Sequence, residues 1–139
     1  MPISIEEVEK VVATGYRTIK IQNKIGNMVM SIYVTFVGIL GGVMNPKRRK
    51  LYHLFIDLVY FPTAADVWIL FPPADQIRHV NIYPRQKCHH LNKTLPRLCM
   101  GTIDKQLEEK KISSLLVLLS AIKVLLNQQN ISDPARRIS

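Results

Sequence analysis

Apolar residues at Ile5, Val8, Val11 and Val12 recur at helical spacing. A serine precedes them at position 4, and Glu6 and Glu7 follow in the first turn. Serine is a good N-cap and acidic residues suit the positive end of a helix, so the pattern predicts a short helix ending near Gly15. From Tyr16 to Gln22 the period changes to two, with Tyr16, Thr18, Lys20 and Gln22 set against Arg17, Ile19 and Ile21. Asn23-Lys24-Ile25-Gly26-Asn27 supplies turn chemistry, and a second apolar run extends from Met28 to Leu40. Gly41-Gly42 and Asn45-Pro46 punctuate the next turn before strands at Leu51–Tyr60 and Val67–Phe71, the latter closed by Pro72-Pro73. These segments predict a four-stranded antiparallel meander.

Between Ala74 and Lys111 no period is clear, although the stretch holds His79, His89, His90, Cys88 and Cys99. Unstructured stretches of that length inside one domain are uncommon and usually carry function, so this one is read as an active-site loop. Ser113 to about Gln128 is apolar on most faces and predicts a buried C-terminal helix. Ser132–Ser139 reads as a flexible tail, and no repeat is visible. The expectation is a single α+β domain over residues 1–139: N-terminal helix, four-stranded meander, active-site loop, C-terminal helix.

Two apolar runs raise the question of a membrane. Met28–Met44 is shorter than the roughly 20 residues a span needs, is broken by Gly38, Gly41 and Gly42, and is rich in strand formers. Leu115–Leu126 is shorter still and is interrupted by Lys123. No membrane partner is expected. With 139 residues, 47% hydrophobic and 21% charged, the chain can bury an ordinary core without staples.

The formal net charge of +9 favours an acidic partner. Much of it is local, in Lys47-Arg48-Arg49-Lys50 and Arg136-Arg137, and reads first as solvated loop and tail. Tyr52, Tyr60 and Tyr83 lie in or beside hydrophobic runs and read as core or edge residues rather than as stacking platforms, so nucleic acid is not the expected partner. His53 and His79 lie beside strands and read as packing or edge residues. Met1-Pro2-Ile3-Ser4 has no basic-apolar leader, and two cysteines read as thiols rather than a disulfide framework, so a cytoplasmic setting is expected.

The densest chemistry lies in Cys88-His89-His90-Leu91-Asn92-Lys93-Thr94-Leu95-Pro96-Arg97-Leu98-Cys99-Met100-Gly101. A thiol becomes a nucleophile when its thiolate is accessible and stabilised, and Lys93, Arg97 and the histidines are groups able to do that for Cys99. The alternative is a structural cysteine in the apolar setting Leu98-Cys99-Met100. Cys88, His89, His90 and Cys99 are also zinc-compatible, but three adjacent ligands are poor tetrahedral geometry and no C-x-x-C pair is present, so no metal is expected. No phosphate loop or Ser-His-Asp signature can be discerned.

The order of elements, together with Phe71-Pro72-Pro73, His89-His90-Leu91-Asn92, Leu98-Cys99-Met100 and the leucine-rich helix followed by Ser132-Asp133-Pro134, resembles the ubiquitin-conjugating enzyme family, especially its divergent bacterial members. The resemblance runs from Ile5 to Pro134. It implies a ubiquitin-conjugating-enzyme-like fold and an acyltransferase in which Cys99 receives a ubiquitin-like modifier as a thioester from a ubiquitin-activating-like enzyme. The modifier then passes to an amine on a protein target. No cofactor is implied, because ATP is spent by the activating enzyme. The family's His-Pro-Asn motif aligns His89 with its histidine, His90 with its proline and Leu91 with its asparagine, leaving Asn92 one residue late. His89 is expected to order the loop, Asn92, His90 or a backbone N–H to stabilise the oxyanion, and Asp133 to orient or deprotonate the amine. The aromatic residue and proline common between cysteine and helix in the family are absent here. The rival functions are a non-catalytic adaptor of the same fold and a basic nucleic-acid-binding module.

Overall fold

The computed structural model describes residues 3–16, 19–39, 49–77 and 82–127. Strand β1 (Ile3–Ser4) leads directly into helix α1 (Ile5–Ala13), followed by β2 (Lys20–Ile25), β3 (Met28–Ile39), β4 (Arg49–Asp57) and β5 (Asp66–Phe71). A hairpin of β6 (Ile82–Cys88) and β7 (Lys93–Leu98) comes next, then helices α2 (Thr102–Glu108) and α3 (Leu115–Asn127). The architecture is α+β, with an antiparallel sheet ordered β1-β3-β4-β5-β7-β6 and β2 also paired to β3. No helix among the described residues is long and apolar enough to cross a membrane.

Local chemistry explains the elements. Ser4 Oγ accepts the Glu7 N–H at 3.2 Å and caps α1, whose Val8 and Val11 are buried. β2 and β3 form a hairpin through Gly26, whose φ of +59° suits glycine. β3 and β4 pair without interruption from Ser31↔Asp57 to Ile39↔Arg49, and β4 pairs with β5 through Ile56↔Val67 and Phe55↔Trp68. The meander expected from the sequence is therefore present over β2–β5, with β2 starting at Lys20 rather than Tyr16.

The segment read as an active-site loop differs from expectation, for it contains the β6–β7 hairpin and α2. Its strand signal is obscured in three ways. Pro84 interrupts β6, a register shift lies between Tyr83 and Gln86, and the turn is His89-His90-Leu91-Asn92 rather than an Asn-Gly or Asp-Gly pair. Asn92 supplies the left-handed residue, at φ +51°.

The main core lies on one face of the sheet. Ile32, Val34, Tyr52, Leu54, Ile56, Val67, Ile69 and Leu98 pack there with Val8 and Val11 of α1 and Leu118, Leu119, Ile122 and Leu126 of α3. Each fully buried Leu or Ile stabilises the fold by roughly 1.5–3 kcal/mol over an exposed one. Glu7 ties the two helices by accepting the Leu115 N–H at 3.2 Å, an acidic group at the start of α3.

A second, smaller cluster occupies the other face: Phe55, Trp68 and Cys88 are buried, with Tyr33, Leu70, Leu91 and Leu95 packed against them. β7 pairs with β5 at Trp68↔Arg97, yet the hairpin turn reaches β4, where His90 bonds Asp57 and its ring lies 6.2 Å from Phe55. A hairpin continuing the sheet flatly beyond β5 could not touch β4 at its far end. The hairpin therefore folds back over the outer face.

Candidate functional site

Cys99 follows the last residue of β7 and precedes the turn into α2. Leu98 and Met100 on either side are buried in the main core, while Cys99 itself is half-buried. The neighbours anchor the backbone on both sides of the thiol. Gly101, at φ +47°, turns the chain into α2, a conformation costly for residues with a Cβ.

The phenol of Tyr83 donates to Cys99 Sγ at 3.3 Å. Tyr83 is the cross-strand partner of Arg97, so its ring projects from the same face toward the residue two beyond. Between Tyr83↔Arg97 and Gln86↔Leu95, β6 holds one residue more than β7. In an unbroken strand Tyr83 and Gln86 point to opposite faces, whereas this bulge lets both meet the Arg97 side. Gln86 Oε1 accepts from Arg97 Nη1 at 3.2 Å.

Arg97 is also ion-paired with Asp66 through Nη2 and lies 5.5 Å from the Trp68 ring centre. Its charge is engaged by the outer cluster. Lys93 is exposed and pairs with Cys88 at the opposite end of β7 from Cys99. Asp104 in α2 adds an acidic group nearby: partial desolvation and then the Asp66 carboxylate push its pKa up, with Arg97 opposing.

The expected grouping of Cys99 with His89, His90 and Asn92 is not the arrangement found. Ile82↔Leu98 sets the open end of the hairpin and Cys88↔Lys93 the closed end, so the histidines and Asn92 form the tip while Cys99 lies beyond the opening. β7 alone spans about 17 Å between these ends at a strand's rise per residue. Within the tip, His90 Nε2 meets Asp57 Oδ2 at 2.9 Å, and Asp57 Oδ1 accepts the Val59 N–H at 3.0 Å. The His89 carbonyl accepts the Asn92 N–H at 3.2 Å, and Asn92 Oδ1 accepts from Lys87 Nζ at 2.8 Å. These contacts fix the turn and its seat on β4.

Cys88 lies beneath the tip with 0% exposure. Burial pushes its thiol pKa up; backbone N–H groups of Leu91 and His90 oppose this, and the Asp57 and Asp66 carboxylates add to it. Such a thiol is a poor nucleophile. The two cysteines stand at opposite ends of the hairpin and cannot share a metal ion, and among the described residues no cluster of His, Cys, Asp and Glu is arranged to hold one. His53 packs edge-on against Phe71 at 5.5 Å, a packing role as read from the sequence. Asp133, the tail from 132 to 139, His79 and Lys47-Arg48 lie outside the described residues.

Tyr83, Asp66 and Asp104 were not legible as site residues. Tyr83 is 16 residues from Cys99, and only a hairpin register brings them together. No family model, curated protein or solved structure matches the chain.

Proposed function

We propose that this chain is a ubiquitin-conjugating-like acyltransferase that carries a ubiquitin-like protein as a thioester on Cys99 and transfers it to an amine on a protein target. The observation that carries this reading is the contrast between the thiols: Cys99 is half-buried at a strand end between two anchored neighbours, and Cys88 is sealed. The α+β order, with a cysteine leaving the last strand toward two helices, is compatible with the family's layout. Loading needs only an accessible thiolate and docking: the Cys99 sulfur attacks the thioester carbonyl on the activating enzyme, whose thiolate leaves. ATP is consumed upstream, so the reaction at Cys99 uses no cofactor of its own. The proposed setting is the cytoplasm.

Incubation with activating enzyme, modifier and ATP should yield an adduct cleaved by reducing agent, lost in Cys99→Ala and kept in Cys88→Ala. An adduct that survives Cys99→Ala overturns the assignment. A second reading, a non-catalytic adaptor of the same fold, is favoured by the distance between Cys99 and the histidine tip. It predicts no adduct on the wild-type chain and partner binding that Cys99→Ala leaves unchanged.

A further inference from the structure

We infer that Tyr83 is a catalytic residue of the acyl transfer, its phenol O–H supplying the oxyanion donor that the family resemblance would place at His90 or Asn92. This rests on the reading of Cys99 as an acyl carrier. Three independent features converge on Tyr83. Its hydroxyl is hydrogen-bonded to the reacting sulfur at 3.3 Å. The one-residue bulge after it turns Gln86 to the same side of the hairpin, so that both residues flank Arg97. Its cross-strand partner Arg97 is held by Asp66 and Trp68, which fixes β7 just before Cys99, and by Gln86, which ties β7 to β6, the strand from which the phenol projects. The tip residues, by contrast, are committed to Asp57, Lys87 and the turn backbone at the far end of β7.

The chemistry follows from that position. In the thioester the sulfur bears the acyl carbon, and the carbonyl oxygen lies one atom further on, within reach of the same phenol by a small rotation. An amine lone pair attacks the carbonyl carbon, forming the C–N bond and placing negative charge on the oxygen, where the Tyr83 O–H donates to it. The oxyanion collapses, the C–S bond breaks, and Cys99 leaves as a thiolate that again accepts the Tyr83 hydrogen bond. The proton lost from nitrogen goes to water, and water reprotonates the sulfur. No oxidant or metal is required.

The test loads Cys99 chemically with a fluorescent diglycine-ended peptide thioester, so that it does not depend on an activating enzyme, and follows single-turnover discharge to free lysine. Tyr83→Phe should load within a few-fold of wild type, keep its melting temperature and discharge roughly 10²–10³-fold more slowly. Asn92→Gly, which removes the amide while tolerating the left-handed backbone, should discharge like wild type. Discharge by Tyr83→Phe at the wild-type rate, equal slowing of its loading and discharge, or a selective defect in Asn92→Gly would each overturn the role of Tyr83. If the tyrosine dependence holds on the chemically loaded protein while an activating enzyme never loads it, Tyr83 stands and the conjugating reading falls.

Discussion

The two ends of the β6–β7 hairpin carry the same kinds of residue and do opposite things. At the closed end a half-exposed His90 is paired with the buried Asp57 on β4, above a fully buried Cys88. At the open end Cys99 and Tyr83 are half-buried, with the backbone pinned by Leu98 and Met100. A Cys-His-Asp set reads as chemistry when only composition is considered. Here that set builds structure, and the thiol with the plainer neighbours is the one that stays partly exposed. Burial and the orientation of one hydroxyl distinguish the ends, not the inventory of polar groups.

Thiol reactivity gives the largest expected contrast. In the native protein an alkylating reagent should modify Cys99 at least about 10²-fold faster than Cys88, because exposing Cys88 requires opening the outer cluster and every 1.4 kcal/mol of opening is tenfold. In denaturant the two rates should converge, as peptide mass mapping can follow. Comparable native rates would mean that the closed end is not sealed.

A smaller effect is expected at the seat of the tip. Asp57→Ala strips His90 of its partner and leaves the Val59 N–H without its acceptor, at a cost of about 1–3 kcal/mol in urea unfolding. His90→Ala should cost less, up to about 1 kcal/mol, since the imidazole is half-exposed and its pairing is screened. Neither change should selectively slow discharge of Cys99, and such slowing would tie the two ends together.

The smallest effect concerns Asp104. Its pKa is raised in the fold, by partial desolvation and by Asp66, so the folded state disfavours its charged form. The penalty is absent below the unfolded carboxyl pKa and grows as pH rises through the folded one. Asp104→Asn should therefore melt slightly above wild type at neutral pH, and the gap should close on acidification. A gap that widens in acid would reverse the sign of this account.

Periodicity made much of this fold legible. α1, α3 and the strands β3, β4 and β5 announce themselves through helical spacing at Ile5, Val8 and Val11 or through apolar runs bounded by glycine and proline. The β6–β7 hairpin did not, because Pro84, the bulge after Tyr83 and the His89–Asn92 turn each break a pattern that strand reading depends on. Cys99 stood out by its neighbours in sequence. The groups around it did not, since Asp66 meets Arg97 across 31 residues and only the folded sheet joins them. Adjacency in sequence also misled: His90 and Cys99 are nine residues apart, yet the register of β7 sets them at opposite ends of the hairpin.

An acyl group carried by Cys99 can be trapped by replacing the sulfur with oxygen: Cys99→Ser, incubated with activating enzyme, modifier and ATP, followed by peptide mapping of the adduct. The expected product is an ester on the introduced hydroxyl that withstands reducing agent and is released by mild base, alongside a reductant-sensitive adduct on Cys99 in the wild type. A modifier found on the Cys88 peptide, or none on either protein under conditions that charge the activating enzyme, would contradict it.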